Sequence, residues 1–514
     1  MELDARILTD GAMLEADLCI VGAGPAGLTL AAELIDHKCD VIVLESGGDQ
    51  PDPAILALND GDVVGDAYAG LQQTRHRQIG GTTCIWNTPM RGGGGREIGA
   101  KYAPLDTVDL EERPSLDLSG WPLSYAELQG YYERAQILCG LGAFSYDSAA
   151  WTEPGLEPFS RTGPNVVSRV YQLATRDALV APKLGALRQA GNIRLCSHAT
   201  VVRIGSDGSR TRVDRADVAS PKGPRWSVRA KHFVLAAGAV ENTRLLLASG
   251  SGPDGLGNRS DWVGRCFMEH PRDESLFLVP QSPTLYRTAA FYDLHTAADG
   301  TAIVGRLALA GDAVERGALP NASATLLPRV RPAVRRLSEV LGPLGRLGRV
   351  DRWLPRSAFG WSQHPAAGRV FEGLTVRLSI EQAPHPENRV RLGRRRDALG
   401  VPVAELHWRW RTEDQARLER LRAVVREELQ ATGIGLVEVR PGSTPDPNAH
   451  HHAGTTRMSA DPLHGVVDPN GRVHSLDNLF VTGASVFPTA GFANPVLTIV
   501  ALAVRLADHL KRTI

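Results

Sequence analysis

Lysine is nearly missing from this chain: Lys38, Lys101, Lys183, Lys222, Lys231 and Lys511 are the only ones among 57 basic residues. Arginine supplies the rest, and 57 acids bring the formal net charge to zero. With no excess positive charge there is no bulk electrostatic attraction for nucleic acid. Cysteine is sparse too. Cys19, Cys39, Cys84, Cys139, Cys196 and Cys266 are scattered, with no CxxC and no metal-ligand spacing. That excludes a disulfide framework as the basis of the fold and suits a reducing compartment. The opening MELDARILTDGAMLEAD has no apolar core segment and no twin arginine, so no secretion signal is expected. The most apolar late stretch, Pro495–Leu510, is interrupted by Arg505 and Asp508 and is too short for a bilayer. A soluble cytoplasmic protein is the expectation, with no membrane and no nucleic acid as partner.

A chain of 514 residues exceeds one simple core, so two interleaved domains are expected. The organising stretch is Asp17–Gly48, DLCIVGAGPAGLTLAAELIDHKCDVIVLESGG. A short apolar run leads into Gly22-x-Gly24-x-x-Gly27, a helical stretch follows, and a second apolar run, Val41–Leu44, ends at Glu45. Strand, glycine turn, helix, strand and acid are the parts of a dinucleotide site in order. Gly22 allows the tight turn, Gly24 the backbone's approach to a pyrophosphate, and Gly27 the close packing of helix on sheet. Phosphates would lie at the helix N-terminus, and Glu45 is placed for a ribose hydroxyl. The motif leaves FAD and NAD equally open.

Residues 49–78 read as loop. Gln78–Arg96, with its dense glycines, reads as backbone packed against a cofactor. Ser124 with Glu127 predicts a capping box opening a helix. Residues 193–204 and 226–237 alternate like strands; the second ends at Ala236-Ala237-Gly238 and passes into a helical run, Glu241–Ser249. Between 270 and 440 strand-like runs (Ser275–Val279, Leu374–Glu381, Asn388–Leu392) precede a helix over Glu413–Thr432. Arg329–Arg356 holds eight arginines against two acids and reads as a solvated helix face, with a lid or lipid-facing patch as alternatives.

The C-terminal block places His450, His451 and His452 before Ala-Gly-Thr. Consecutive residues do not converge on one centre, so no metal is expected. A single histidine acting as proton acceptor is the sharper reading, since imidazole titrates near neutrality. Asn478-LFVTGASVFP reads as a buried strand ending at Gly483, and Asn494-Pro495 as N-cap and first residue of a closing helix.

These residues resemble the glucose–methanol–choline (GMC) oxidoreductases, FAD-dependent enzymes that oxidise alcohols. The resemblance rests on the GxGxxG unit, GGTTCIWN, AAGAVENTRLLLAS and, above all, HxAGTxRM with DNLFVTGASVFPTAGFANP. It is nearest to the pyranose oxidases and bacterial sugar or glycoside oxidases. The resemblance implies an α/β fold: a Rossmann-like FAD-binding domain with an interleaved α+β substrate domain, as in p-hydroxybenzoate hydroxylase. The expected division gives 1–99, 191–270 and 441–514 to FAD and 100–190 and 271–440 to substrate. Gly81, Thr83, Asn87, Val202, Ala237, Gly483, Ala484, Asn494 and Pro495 join the fingerprint residues as expected cofactor contacts. His451 matches the family's active-site histidine and Asn494 its second active-site position. The implied reaction has His451 accept the hydroxyl proton of a sugar, glycoside or aminosugar as hydride leaves for flavin N5, with oxygen or another acceptor closing the cycle. Ile85 stands before Trp86, where covalently flavinylated pyranose oxidases carry histidine, so non-covalent FAD is expected, with Cys84 as the alternative attachment point. A GMC-fold lyase and an NAD(P)-dependent dehydrogenase are the competing enzyme classes.

Overall fold

A computed structural model describes residues 1–92, 95–160, 163–206, 211–250, 254–341 and 360–514. The stretch Asp17–Gly48 forms the predicted unit. Strand Met13–Val21, helix Pro25–Glu33 and strand Val41–Leu44 follow one another, and the two strands pair in parallel from Leu18↔Val41 to Val21↔Leu44. Leu18, Ile20 and all of Val41–Leu44 are buried, because helices or neighbouring chain cover both faces of a parallel sheet.

Around this pair an eight-stranded sheet runs in the order Glu2–Asp4, Ile193–Ser197, Val41–Leu44, Met13–Val21, Arg225–Leu235, Val213–Ala219, Thr200–Ser206. Leu479–Val481 adds in parallel to Phe233–Leu235. The apolar closing helix, Val496–Leu510, buries most of its length.

A second sheet of nine strands joins segments far apart in sequence: Gly435–Val439, Arg272–Pro280, Phe371–Ile380, Ala322–Val330, Ala302–Leu309, Val166–Thr175, Gly95–Tyr102 and Thr88–Gly92, with Leu294–Thr296 beside Ala302–Leu309. A small third sheet pairs Arg389–Arg396, Pro402–Trp408 and Gly61–Gly65.

Several local expectations meet their geometry. Ser124 caps helix Tyr125–Leu138 in a full capping box with Glu127. The helix expected at Glu413–Thr432 spans Thr412–Ala431. Others differ. Residues 193–204 are two strands, not one, broken at His198, whose φ of 54° lies in the left-handed region. The break sends the two strands to different places in the sheet. The glycine-rich stretch 78–96 is only partly a loop: Gly81–Ile85 is a short 3-10 turn, and Thr88–Gly92 pairs with Gly95–Tyr102 as a hairpin. Asn494 is not the N-cap. That position falls to Pro495, and the closing helix has no side-chain cap. Of the arginine-rich stretch, Pro332–Leu341 is helical and 342–359 lies outside the described residues.

Candidate active site

Two of the three fingerprint glycines are held by contacts that exclude a side chain, whereas a Cβ on Gly24 would meet nothing nearer than the Gly81 Cα at 3.9 Å. A Cβ on Gly22, at φ 105°, would lie 2.7 Å from the Ala236 carbonyl oxygen; one on Gly27 would lie 1.9 Å from that of Gly22. Gly24 ends the turn and Pro25 opens the helix, where its missing N–H costs nothing. Glu45 is buried, and its carboxylate accepts from the Ala23 N–H (2.8 Å) and the Gly47 N–H (3.1 Å). Burial raises its pKa, against the pull of these N–H donors and of Arg77. The acid therefore ties the glycine turn to the end of the second strand while one edge faces the space above.

That space is a cleft of about 1460 Å³, its open mouth included. Gly22, Gly24, Glu45, Gly81, Thr83, Ala237, Gly483, Ala484, Asn494, Pro495 and His451 all line it. Three expected contacts do not. Gly27 sits beneath the turn and acts by packing. Asn87 lies outside the cleft. Val202 is replaced by Val201, and Val202 packs instead on Ile55, Leu58, Ala219 and Leu399. Neighbouring residues on a strand point to opposite faces, so Val201 and not Val202 faces the cleft.

Arg75 and Arg77 also line the cleft, from the stretch read as loop. Arg75 pairs with Glu241, as does Arg77 through Nη2 (2.5 Å), and Arg244 joins them at 3.3 Å. Three guanidiniums hold Glu241 ionised far below the usual carboxylate range, overcoming its burial. A cleft glycine, Gly22, with no room for a side chain, a buried acid at the strand end and this surplus of arginine fit a dinucleotide: adenosine ribose at Glu45, pyrophosphate at the turn.

At the other end of the cleft the three histidines part company. Left-handed backbone at His450 (φ 62°) turns the chain there. His452 Nε2 contacts the Tyr68 hydroxyl at 2.9 Å, and Tyr68 donates to Glu269 at 2.5 Å. His451 Nδ1 lies 3.0 Å from His270 Nδ1, and His270 Nε2 lies 3.1 Å from the Ala490 carbonyl oxygen.

The protons in this chain can be assigned. A carbonyl only accepts, so His270 Nε2 carries a hydrogen. Burial pushes the His270 pKa down to about 4, so the ring is neutral and its Nδ1 is a lone pair. His451 must then donate from Nδ1. Burial, then His270 and Arg272, hold His451 well below the usual imidazole range, so it too is neutral. Its free Nε2 is an unprotonated acceptor.

Glu269 completes the support. Its carboxylate accepts from the backbone N–H groups of His451 (2.9 Å) and His270 (3.2 Å), and burial lifts its pKa to about 7. Neither Glu269 nor His270 was singled out from sequence. They lie 182 and 181 residues from His451, in a segment without a motif, and only folding brings them together. No group of three or more metal-ligating side chains exists among the described residues.

Residues 384–503 match the model of the GMC oxidoreductase C-terminal domain. The chain carries a C-terminal segment of the GMC oxidoreductase kind. It is 27% identical to paromamine 6'-oxidase of Streptomyces fradiae over 96% of this chain and 90% of that protein. Over 21% of each chain it is 40% identical to C-glycoside 3-oxidase of Arthrobacter globiformis. Among solved structures it is similar to pyridoxine 4-oxidase, with a TM-score of 0.57 at 22% identity, covering 96% of this chain and 98% of that one, which concerns the fold. The protein is an FAD-dependent enzyme acting on alcohol groups. The fold is α/β, a Rossmann-like FAD-binding part with a substrate-binding part.

Proposed function

We propose that this enzyme oxidises a hydroxyl of a sugar, glycoside or aminosugar to the carbonyl, with His451 as the base. The observation that carries the reading is the proton chain Ala490–His270–His451. It leaves an unprotonated Nε2 on the histidine that lines the cleft beside Asn494. FAD, when bound, supplies the two-electron acceptor for the hydrogen on the alcohol carbon.

His451 Nε2 takes the hydroxyl proton, and a positioned base of this kind contributes ~10²–10⁴-fold. Asn494, released from capping, presents its amide to the same alcohol oxygen and orients it. Burial of the His270–His451 pair excludes water from the back of the base, so its tautomer does not wander. Glu269 fixes the backbone of both histidines. The substrate class is supported by the relatives, named for aminoglycoside and C-glycoside oxidation.

Non-covalent FAD is part of the same reading. Ile85 precedes Trp86, and Cys84 lies outside the cleft lining with its sulfur 3.5 Å from the Ile79 carbonyl oxygen. Burial raises the Cys84 pKa, which makes it a poor nucleophile. We also give residues 1–99, 191–270 and 441–514 to an FAD part and 100–190 and 271–440 to a substrate part, and keep oxygen or another compound as the acceptor. Among the described residues no helix is long and apolar enough to cross a membrane. The cytoplasmic assignment draws support from six free cysteines.

The test is anaerobic mixing of the yellow protein with sugars, glycosides and aminosugars. Bleaching of the flavin band by one of them is the expected result. A band that dithionite bleaches but no alcohol does would return the lyase reading, in which the flavin is not reduced.

A further inference from the structure

We propose that the alcohol oxidised at this site carries an acidic oxyanion group, a carboxylate or phosphate, held by Lys101 and Arg272. This deepens the reading above and rests on His451 marking where the substrate sits.

One face of the nine-stranded sheet carries the argument. Residues opposite one another across a ladder share a face, as do alternate residues along a strand. Lys101 stands opposite Leu173, two and four residues from Tyr171 and Arg169. Arg169 stands opposite Arg306, and Leu307↔Ala324 sets the next register. Thr325 stands opposite Arg377, Ser323 opposite Ser379, and Ser379 opposite Arg272. The shared face therefore presents Lys101, Arg169, Arg272, Arg306 and Arg377, with Tyr171, Ser323, Thr325 and Ser379 between them.

This face looks toward the active-site loop. The Arg306 guanidinium lies 4.7 Å from the centre of the Tyr171 ring and 4.5 Å from that of Phe492, two residues before Asn494. Lys101 Nζ lies 5.5 Å from the same Tyr171 ring. Arg272 follows His270 by two residues, and its charge acts on His451, His450 and Glu269.

The positive charge is under-compensated. Arg377 pairs with Glu274 and Arg169 with Asp147, but Lys101, Arg272 and Arg306 have no salt bridge among the described residues. Arg306 is 1% exposed, and its Nη1 has no partner there. The acids nearest Arg272 are Asp446, Glu269 and Glu274. Each is occupied: Asp446 by Asn448, Glu269 by Tyr68 and two backbone N–H groups, Glu274 by Arg377. Burial and the neighbouring Arg377 and Arg272 charges bring Lys101 down to about 8. Like charges gathered in a partly dry place are costly until an anion joins them. An amine-bearing alcohol would add to the repulsion, whereas a carboxylate or phosphate would relieve it. Oxyanions also suit arginine's donor fork, and the serine and threonine hydroxyls add further donors.

The test is calorimetric titration of the FAD-loaded enzyme under argon with sodium glucuronate, glucose 6-phosphate, methyl β-glucoside and glucosamine. The expected result is tighter binding of glucuronate or of glucose 6-phosphate than of methyl β-glucoside, with glucosamine weakest. The better acid names carboxylate or phosphate, and its affinity should fall as salt rises. Arg272→Gln and, independently, Lys101→Gln should each weaken that acid about tenfold or more, the loss of one charged hydrogen bond. Methyl β-glucoside or glucosamine binding as tightly as both acids, or indifference to salt, overturns the proposal. The flavin band separates this outcome from the larger reading. Bleaching by neutral glycosides without acid preference keeps alcohol oxidation and removes the anion site. Salt-sensitive acid binding with no bleaching by any alcohol keeps the basic face and removes the sugar-oxidation reading.

Discussion

A hydrogen bond to the Ala490 carbonyl decides the state of His451. It places the His270 proton on Nε2, and the rest of the chain follows by donor and acceptor counting. His270→Phe keeps a ring of similar bulk but removes the acceptor for His451 Nδ1–H. Flavin bleaching should slow at least about tenfold, since a histidine base held in the wrong tautomer can lose far more. FAD content should stay normal. His270→Gln, whose amide oxygen can accept from His451, should restore part of the rate. Equal rates in the Phe and Gln variants would reduce His270 to packing. The depressed pKa of His451 carries a sign. A base whose folded pKa lies below its ordinary value stays unprotonated as pH falls through 6.5, so His451 itself should cause no loss of bleaching rate there; Glu269, lifted to about 7, is the neighbouring group that gains a proton in this window. Rate against pH at saturating substrate, from about 8 down to about 5.5, a window that brackets the ordinary imidazole pKa, checks this. A fall centred on about 6.5 that persists in Glu269→Gln would mean His451 titrates like an exposed imidazole.

Elements rather than single residues explain what could be read from the chain. The glycine turn was legible because its spacing is a local signature: Gly27 meets the Gly22 carbonyl within one strand–helix–strand unit, although Gly22 itself meets Ala236 from a strand far along the chain. Gly27→Ala should cost about 1–3 kcal/mol or more, as overpacking does, because the added methyl would press on the Gly22 carbonyl. A lowered melting temperature with reduced FAD content in the purified protein is the expected outcome; a stable, fully yellow variant would show that the helix can shift. Asn494 was read as a cap because Asn before Pro is the local signature. The chain instead enters the helix one residue later, and the amide is left to the cleft. Val201 rather than Val202 faces the cleft because strand residues alternate in face, and the break at His198 was hidden inside a continuous strand-like alternation. His270, Glu269, Tyr68, Arg75 and Arg77 were not legible at all. Each depends on a partner at least 164 residues distant, a separation no periodicity reports.

For the whole molecule, the cleft joins two sheets of different kinds. The mixed sheet, parallel around strand Met13–Val21, brings glycines, Glu45 and the closing helix to one side, where a nucleotide's phosphates and ribose are met by backbone and one acid. The antiparallel sheet gathers a dense row of cations on one face beside the active-site loop. FAD held without a covalent bond should be released by acid precipitation into a yellow supernatant. Colour that stays in the pellet would contradict the assignment made from Ile85 and Cys84. Binding to the folded state alone also makes the melting temperature rise with added FAD.

The most direct test of the central claim is single-turnover reduction of His451→Ala beside the native enzyme, both FAD-loaded and free of oxygen, with the alcohol that bleaches the native flavin. Loss of at least ~10²-fold in the rate, with FAD content and dithionite reduction unchanged, is the result a base at His451 predicts. Near-native bleaching by the variant would contradict it, and the proton would have to leave by another group.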